Sequence, residues 1–369
     1  MIKTSKVNTS EIGWKLYTNS EDGWEAMLDA CENAKKSIDL EQFIFIRNEI
    51  GEKFIDICSK KVKKGVKVRF LWDAVGSFSF FGSSTIEELK SKGIELIFYK
   101  TLFPSFYEVH NYKSWYLRNH RRTLVIDGVI GFTGSICVSD EMKYWRDTVV
   151  KIDGEAVNEM QDAFQKMWYE AQKKDTPIEQ SDRTYNKSIE FKYITNSPIP
   201  GKRYLYNTVL KAIRDANEYV YITTPYFVPT RQLYKLLRKI SRSGVRVKII
   251  IPESTDHPIV DLCARTFFNK MLKDGIKIYL YKDKIVHSKT IIIDNKWSSV
   301  GTLNLDTISL LYNFEGNLVS TNTDFADELL THFIDDLHKT KEITFSEWKS
   351  RYWIEKFTGF FVRFVRDFL

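Results

Sequence analysis

KKVKKGVKVRFLWD at residues 60–73 and RKISRSGVRVKIIIPE at residues 238–253 share one order of signals. In each stretch, a charged run leads to a glycine, Gly65 or Gly244, and then to an apolar run rich in β-branched residues. A glycine after the last helical turn is typical of a helix C-cap, and the apolar run is typical of a buried strand. The two stretches therefore predict the same helix–strand unit in each half of the chain.

The repeat extends to both sides of these stretches. Before them, residues 22–35 and 204–217 carry apolar side chains at helical spacing, and an apolar strand follows each. After them comes a second helix–glycine–strand unit, with Gly93 and Gly275 in matching places. Helices that alternate with apolar strands predict an α/β fold, in which two similar lobes each have a sheet covered by helices on both faces.

Length and composition agree with two folded lobes. A chain of 369 residues exceeds what one hydrophobic core usually supports, and 43% hydrophobic residues provide material for two. The polar stretch KKDTPIEQSDRTYNK has no periodicity and predicts a linker. We place the boundary there, with the first lobe at residues 1–180 and the second at residues 181–369.

Charge and cysteine content indicate which partners and which cellular compartment are expected. The net charge of +7 favours phosphate-bearing partners such as an anionic membrane surface or nucleic acid. The four cysteines form no C-x-x-C pair, which favours a reducing compartment over a disulfide framework. No signal peptide is recognisable, and no stretch reaches the roughly 18 apolar residues that a membrane-spanning helix needs. We expect a cytoplasmic protein that lies on the inner face of the membrane without crossing it.

Each half of the repeat ends in a histidine motif, NHRRTLVIDG in the first and VHSKTIIIDN in the second. Side chains two residues apart in a strand face the same side, so His120 with Arg122, and His287 with Lys289, point at one substrate. A cation beside each histidine suits an anionic phosphate. One of these histidines would attack phosphorus while the other protonates the leaving alcohol oxygen, a division of labour that requires neither a metal nor a cofactor.

Four carboxylates accompany these motifs. Asp127 and Asp294 follow the apolar runs, where we expect them to fix the strand end or to form an ion pair. Asp147 and Glu315 come later, at nearly the same distance after their histidines. A carboxylate that binds one imidazole nitrogen fixes the tautomer of the ring and stabilises its cation, and we predict this role for both.

Uncharged hydrogen-bond donors lie close to the motifs in sequence. Ser135 follows the first motif, and Asn304 and Ser309 follow the second. Such groups are suited to the equatorial oxygens of a five-coordinate phosphorus. We therefore predict that these three side chains bind the substrate phosphate.

The chain resembles the phospholipase D superfamily, whose signature is His-x-Lys-x4-Asp twice per active site. VHSKTIIID matches that signature, and YITTPYFVP, RNHRRTLVIDG, WRDT and GTLNLDTISLLYNFEGN are similar to segments of bacterial cardiolipin synthases. The resemblance covers about residues 14–351. It implies two α/β/α lobes packed as a pseudo-dimer around one active site, a phosphohistidine intermediate, and transfer of a phosphatidyl group from phosphatidylglycerol to another alcohol.

In that family the histidine of the first motif is usually the nucleophile, which implies attack by His120 and proton transfer by His287; the reverse assignment stays open. Three residues depart from the family pattern. Arg122 replaces a lysine, Cys137 stands where an asparagine is usual, and Ile308 replaces a common arginine. Arginine keeps the charge of lysine but has a different reach and binds phosphate through two hydrogen bonds.

Two aromatic segments are candidates for contact with a membrane. Residues 353–369 place phenylalanines on one helical stripe with basic residues beside it, a pattern that favours either an interfacial helix or a helix docked on the core. Residues 101–115 are an insertion before His120 without counterpart in the second half, either a lipid entrance or a cluster that bridges the lobes. The candidate contacts are Phe103, Phe106, Trp115, Phe357, Phe360, Phe361 and Phe364.

Three functions remain open on these grounds. The leading one is a phosphatidyltransferase of the cardiolipin synthase type, acting on a phospholipid at an anionic membrane surface without an obligatory protein partner. A phospholipase D-type hydrolase or nuclease would use the same histidines with water as acceptor, and the aromatic carboxyl terminus disfavours nucleic acid as substrate. A lipid-binding protein with impaired catalysis is the alternative of another class.

Overall fold

The computed structural model describes residues 12–80, 83–100, 117–173 and 190–350. The first lobe is built on a sheet of seven strands. Its strands are β1 (Trp14–Asn19), β2 (Ser37–Gln42), β3 (Lys67–Asp73), β4 (Glu95–Tyr99), β5 (Thr123–Ile126), β6 (Ile130–Gly134) and β7 (Arg146–Asp153). Its helices are α1 (Ser20–Asn33), α2 (Glu49–Lys63), α3 (Thr85–Ser91) and α4 (Glu155–Ala171), with short 3-10 helices at Phe78–Phe80 and Asp140–Met142.

The second lobe contains an eight-stranded sheet and a separate pair of two-residue strands. Its strands are β8 (Phe191–Asn196), β9 (Tyr219–Thr223), β10 (Phe227–Val228), β11 (Arg246–Pro252), β12 (Lys277–Tyr281), β13 (Thr290–Ile293), β14 (Trp297–Gly301), β15 (Leu305–Asp306), β16 (Glu315–Ser320) and β17 (Thr340–Ile343). Its helices are α5 (Tyr204–Arg214), α6 (Arg231–Arg242), α7 (Pro258–Lys273), α8 (Thr307–Leu311), α9 (Thr323–Leu337) and α10 (Phe345–Ser350).

The two large sheets have the same strand order. The first runs β1-β7-β6-β5-β2-β3-β4, and the second runs β8-β16-β14-β13-β9-β11-β12 with β17 added at its far edge. In both, the strands that follow the helices pair in parallel, while the strand after each histidine pairs with antiparallel neighbours. The prediction of an α/β fold with two similar lobes is confirmed.

The predicted helix ends are also confirmed. Gly65 and Gly244 follow α2 and α6 with φ angles of +82° and +102°, and Gly93 and Gly275 follow α3 and α7 with φ angles of +83° and +88°. Glycine adopts this left-handed conformation without the steric cost that a Cβ atom brings. Each glycine therefore ends its helix and turns the chain into the next parallel strand.

Each sheet is covered on both faces. On β5, Leu124 packs into a core with α1, α2 and α3, while Val125 faces the other way. On β13, Ile291 packs with α5, α6 and α7, while Ile292 shares the opposite core with Val125. The second faces of both sheets, with α4 and α9, thus bury one common hydrophobic core. The lobes form a pseudo-dimer through this core.

Several predicted features lie outside the described residues, namely most of the linker, the insertion at residues 101–115 and the segment at residues 353–369. Within the described ranges, no helix has both the length and the apolar character that crossing a membrane requires. All four cysteines are buried and free.

Candidate active site

The two histidines lie at the junction of the lobes, directly before the central strands β5 and β13. The backbone N–H of His120 donates to the carbonyl oxygen of Phe314 at 3.0 Å, and that of His287 donates to the carbonyl oxygen of Arg146 at 2.8 Å. Phe314 and Arg146 immediately precede Glu315 and Asp147. Each histidine segment is therefore joined by backbone hydrogen bonds to the strand of the other lobe that carries a carboxylate.

The histidine–carboxylate pairs consequently cross between the lobes. His120 Nδ1 lies 2.9 Å from Glu315 Oε1, and His287 Nδ1 lies 2.8 Å from Asp147 Oδ2. Sequence spacing predicted a carboxylate for each histidine but did not indicate that each lobe would supply the partner of the other. The site is complete only when both lobes are folded and in contact.

Burial sets the protonation of this cluster. His120 and His287 are 8% and 4% exposed, and loss of hydration lowers the pKa of each to about 4 despite the opposing effect of its carboxylate. Burial alone would raise the pKa of Asp147, but its contact with His287, followed by the charge of Lys289, holds that pKa below its usual range. At neutral pH both imidazoles are neutral, with Nδ1–H donating to the carboxylate and Nε2 carrying a lone pair.

A cation faces each Nε2 atom. An Arg122 guanidinium nitrogen lies 3.1 Å from His120 Nε2, and Lys289 Nζ lies 3.0 Å from His287 Nε2. Burial, followed by the nearby charge of Arg122, lowers the pKa of Lys289 to about 7. The two half-sites thus differ, because an arginine keeps its proton while this lysine exchanges its proton near neutral pH.

The three predicted phosphate-binding side chains lie beside the carboxylates. The Ser135 hydroxyl donates to Asp147, and the Ser309 hydroxyl donates to Glu315. The side-chain oxygen of Asn304 is buried without a hydrogen-bond partner in the described part of the chain. Both serines orient a carboxylate in this structure, and their contact with a phosphate stays a prediction.

Asp127 and Asp294 do not contact the histidines. Both occupy turns, with φ angles of 56° and 52°, and their carboxylates accept backbone hydrogen bonds at the start of the neighbouring strand. Asp127 joins the end of β5 to the start of β2, and Asp294 joins the end of β13 to the start of β9. Both carboxylates therefore fix a strand end. The donors are the amides of Lys35, Lys36 and Ser37 for Asp127, and of Asn217, Glu218 and Tyr219 for Asp294.

The two departures in the first half-site are in direct contact. Arg122 Nε donates to Cys137 Sγ at 2.8 Å. Cys137 and Asn304 occupy equivalent places, three residues after the glycines that end β6 and β14. The first half-site thus combines a larger cation than Lys289 with a smaller side chain than Asn304. The two departures from the family pattern contact each other directly.

Several site residues were not found by the sequence reasoning. The ring of Phe43 lies 4.8 Å from that of His120, and the rings of Trp145 and Tyr226 lie 5.1 and 6.5 Å from that of His287. The Thr302 hydroxyl donates to Glu315 at 2.5 Å. Alignment of GFTGS with SSVGT would have matched Thr302 to Ser135. The aromatic residues had no signal in the sequence other than their position after a strand.

The proposed membrane contacts in the insertion and at the carboxyl terminus all fall outside the described residues, so they stay predictions. Among the residues that are described, no group of three or more His, Cys, Asp or Glu side chains is arranged to hold a metal ion.

Comparison with known proteins identifies close sequence relatives. A family profile described as "Cardiolipin synthase, PLD-like domain" matches residues 27–168 and 209–337. The cardiolipin synthase of Oceanobacillus iheyensis is 35% identical over 92% of this chain and 71% of its own length. A cardiolipin synthase of Clostridium perfringens is 33% identical over 95% of this chain and 75% of its own length.

Solved structures share the fold at low sequence identity. The phosphatidylserine synthase of Haemophilus influenzae superposes with a TM-score of 0.71 at 14% identity, covering 96% of this chain and 93% of its own. The polyphosphate kinase of Porphyromonas gingivalis superposes with a TM-score of 0.61 at 12% identity, covering 91% of this chain and 49% of its own. The architecture of paired lobes is thus common to proteins of different names.

The contact between Arg122 and Cys137 generates a testable prediction. Arg122→Lys removes the hydrogen bond to sulfur, and Cys137→Asn crowds the buried guanidinium. Each should therefore lower kcat/KM for a phosphodiester substrate by about tenfold or more. The double variant reproduces the lysine and asparagine of the second half-site and should recover much of that loss. Steady-state kinetics of the parent protein, both single variants and the double variant measure how far the two substitutions depend on each other.

The mirror exchange in the second half-site, Lys289→Arg with Asn304→Cys, is the matched comparison. Purely additive losses in the first half-site would contradict the prediction.

Proposed function

Because the chain belongs to the cardiolipin synthase family of phospholipase D-like proteins, we propose that it is a phosphodiester transferase that makes cardiolipin from two molecules of phosphatidylglycerol. The observation that carries this proposal is the pair of crossed histidine–carboxylate contacts, which place two neutral imidazoles beside two cations at the junction of the lobes. This arrangement suits a double displacement at phosphorus.

In the first half-reaction His120 is the nucleophile. Its Nε2 lone pair forms a bond to phosphorus, and the bond from phosphorus to the glycerol oxygen breaks. His287 gives its Nε2 proton to that oxygen, and free glycerol leaves. Glu315 and Asp147 stabilise the positive charge that develops on the rings.

The difference between the two cations supports this assignment. Burial, with the charge of Arg122 adding to it, lowers the pKa of His120 to about 4, so its Nε2 atom is unprotonated and available for attack. Lys289, with a pKa of about 7, lies 3.0 Å from His287 Nε2 and passes a proton to it. Because the pKa of His287 is about 4, the ring passes this proton on as the leaving oxygen takes it up. His287 therefore acts as the acid, and Lys289 replaces its proton.

The second half-reaction reverses the proton transfer. The terminal hydroxyl of a second phosphatidylglycerol loses its proton to His287, its oxygen bonds to phosphorus, and the bond from phosphorus to His120 breaks. The products are cardiolipin and the regenerated pair of histidines. Arg122, Lys289 and Asn304 would bind the phosphate oxygens, where buried cations and amides are more effective than in water.

The same proposal includes the place of action. A substrate with two acyl chains lies in a bilayer, so we expect peripheral binding to the cytoplasmic face of an anionic membrane. The aromatic residues Phe103, Phe106 and Trp115, and the stripe that contains Phe357, Phe360, Phe361 and Phe364, are the proposed contacts. Their composition supports this role, because aromatic rings are favoured at the level of the lipid headgroups.

The function is tested with purified protein and phosphatidylglycerol vesicles in the absence of divalent metal. We expect cardiolipin and glycerol in equal amounts, with both products lost in His120→Ala and His287→Ala because each histidine is needed for turnover. Mass spectrometry quantifies the lipids. Phosphatidic acid as the sole histidine-dependent product would identify a hydrolase instead, and no histidine-dependent product would contradict catalysis of this phosphodiester.

The roles of the histidines are tested by the leaving group. In a phosphatidyl ester of p-nitrophenol, the leaving group is nitrophenolate, which needs no protonation. His287→Asn should therefore still release a burst of nitrophenolate equal to the enzyme concentration. His120→Asn should release none, because it lacks the nucleophile. Stopped-flow absorbance measures the burst, and phosphatidylglycerol, whose leaving group needs a proton, is the control substrate. A burst from His120→Asn with none from His287→Asn would reverse the assignment.

A further inference from the structure

A large cationic cavity lies in the second lobe, away from the catalytic residues. It has a volume of about 800 Å³ and is enclosed by α6 and α7, with α8 at one end. Neither His120 nor His287 is among its lining residues. The proposed reaction leaves this cavity without a role.

The cavity has an unbalanced positive charge. Arg231, Lys235 and Arg238 line it from α6, Lys270 lines it from α7, and no acidic side chain is among its lining residues. Arg238 pairs with Asp274, whereas the other three cations have no ion pair within the described ranges of the chain. Concentrated charge of one sign around a concave surface attracts a ligand of the opposite sign.

The positive surface continues beyond the cavity along α6. This helix, RQLYKLLRKISR, contains no acidic residue. Lys239 and Arg242 line an adjoining depression of about 510 Å³ together with Lys235 and Arg238. Arg242 shares the carboxylate of Asp274 with Arg238. An extended strip of cations matches a plane of phosphates better than a single soluble anion, which would occupy only one part of it.

The chemistry of the cavity wall matches a lipid headgroup. The hydroxyls of Thr266 and Thr307 lie beside the cations; they donate to backbone carbonyl oxygens and keep lone pairs that can accept from a headgroup hydroxyl. Leu311 and Tyr312 provide an apolar side, with Tyr312 44% exposed. A phosphodiester headgroup needs charged and hydroxyl partners for its phosphate and glycerol, and an aromatic residue at its boundary with the acyl chains.

One wall of the cavity lies at the same edge of the sheet as the active site. Val228 follows β9 at its carboxyl end, and β13 runs antiparallel to β9, so His287 lies at that end as well. The shared wall is α8, where Thr307 lines the cavity while Ser309 donates to Glu315. The cavity and His287 therefore lie at the same end of the second lobe.

We propose that this cavity binds the phosphodiester headgroup of an anionic phospholipid that is not undergoing reaction, and that it docks the second lobe on the bilayer. The proposal rests on the proposed function only in taking a lipid as substrate. It identifies a site distinct from the catalytic centre, whose occupant is held by Arg231, Lys235 and Lys270.

Vesicle binding by the intact protein tests this proposal. Lys235→Gln with Lys270→Gln removes two exposed charges from the cavity, and Lys60→Gln with Lys63→Gln removes two exposed charges from α2, the corresponding helix of the first lobe. All proteins carry His120→Asn, so that lipid is bound without turnover. Cosedimentation is measured with vesicles of phosphatidylcholine alone and of equimolar phosphatidylcholine and phosphatidylglycerol.

We expect the cavity variant to lose binding to phosphatidylglycerol vesicles by about tenfold or more, since each basic residue near an anionic surface raises partition about fivefold. The α2 variant, with the same net charge, should bind within about twofold of the parent protein, because its lysines lie outside the cavity. Equal losses of vesicle binding in both variants, or no loss in either, would contradict the proposal that the cavity binds lipid. Binding of inorganic phosphate that is lost in the cavity variant while vesicle binding is unchanged would assign the cavity to a soluble anion and also overturn it.

The test separates this site from the proposed reaction. With active protein, the cavity variant should turn over a short-chain, water-soluble phosphatidylglycerol at the parental rate while losing activity on vesicles. If the parent protein makes no cardiolipin but the cavity variant still loses vesicle binding, the docking site stands and the proposed function fails. Parental activity of the variant on vesicles at limiting lipid would count against the docking site alone.

Discussion

The structure depends on hydrogen bonds between the histidine of each repeated motif and a carboxylate of the opposite lobe. His120 with Glu315 and His287 with Asp147 are buried pairs, and backbone hydrogen bonds beside them join the same two segments. A buried carboxylate without its partner is costly, so each lobe stabilises the other at this point. The common core of Val125, Ile292 and their neighbours holds the lobes at the distance that these contacts require.

The two halves are similar in architecture but differ in chemistry. Buried ion pairs flank His120, with Arg118 bound to Asp73 and Arg121 bound to Glu41, whereas Ile285 and Ser288 flank His287. Arg122 contacts the His120 imidazole and has Cys137 beside it. In the second half-site, Lys289 contacts the His287 imidazole, and Asn304 takes the place of Cys137. The first half-site therefore has a fixed charge in a rigid frame, and the second contains a cation that exchanges its proton near neutral pH. This asymmetry is the basis for assigning different roles to two similar histidines.

Much of the fold was accessible from the sequence because the signals are local and occur twice. Gly65 and Gly244 end their helices through a conformation that glycine adopts readily, and the apolar runs after them become buried parallel strands. The histidines and their cations were found because a spacing of two residues places side chains on one face. The crossed pairing was not accessible, because it depends on how the lobes pack. The aromatic rings of Phe43 and Trp145 next to the imidazoles were missed for the same reason.

At pH 7 burial keeps each imidazole neutral, and the Nδ1–H of each ring donates to the carboxylate of the other lobe. Nitrogen-15 NMR of histidine-labelled protein, with signals assigned from His120→Asn and His287→Asn, measures this directly. At pH 7 both rings should have a protonated Nδ1 and an unprotonated Nε2, and they should become charged only as the pH falls toward about 4. Glu315→Ala should change the His120 signals alone, and Asp147→Ala those of His287 alone. Charged imidazoles at pH 7, or a response of each histidine to the carboxylate of its own lobe, would rule out neutral rings paired across the lobes.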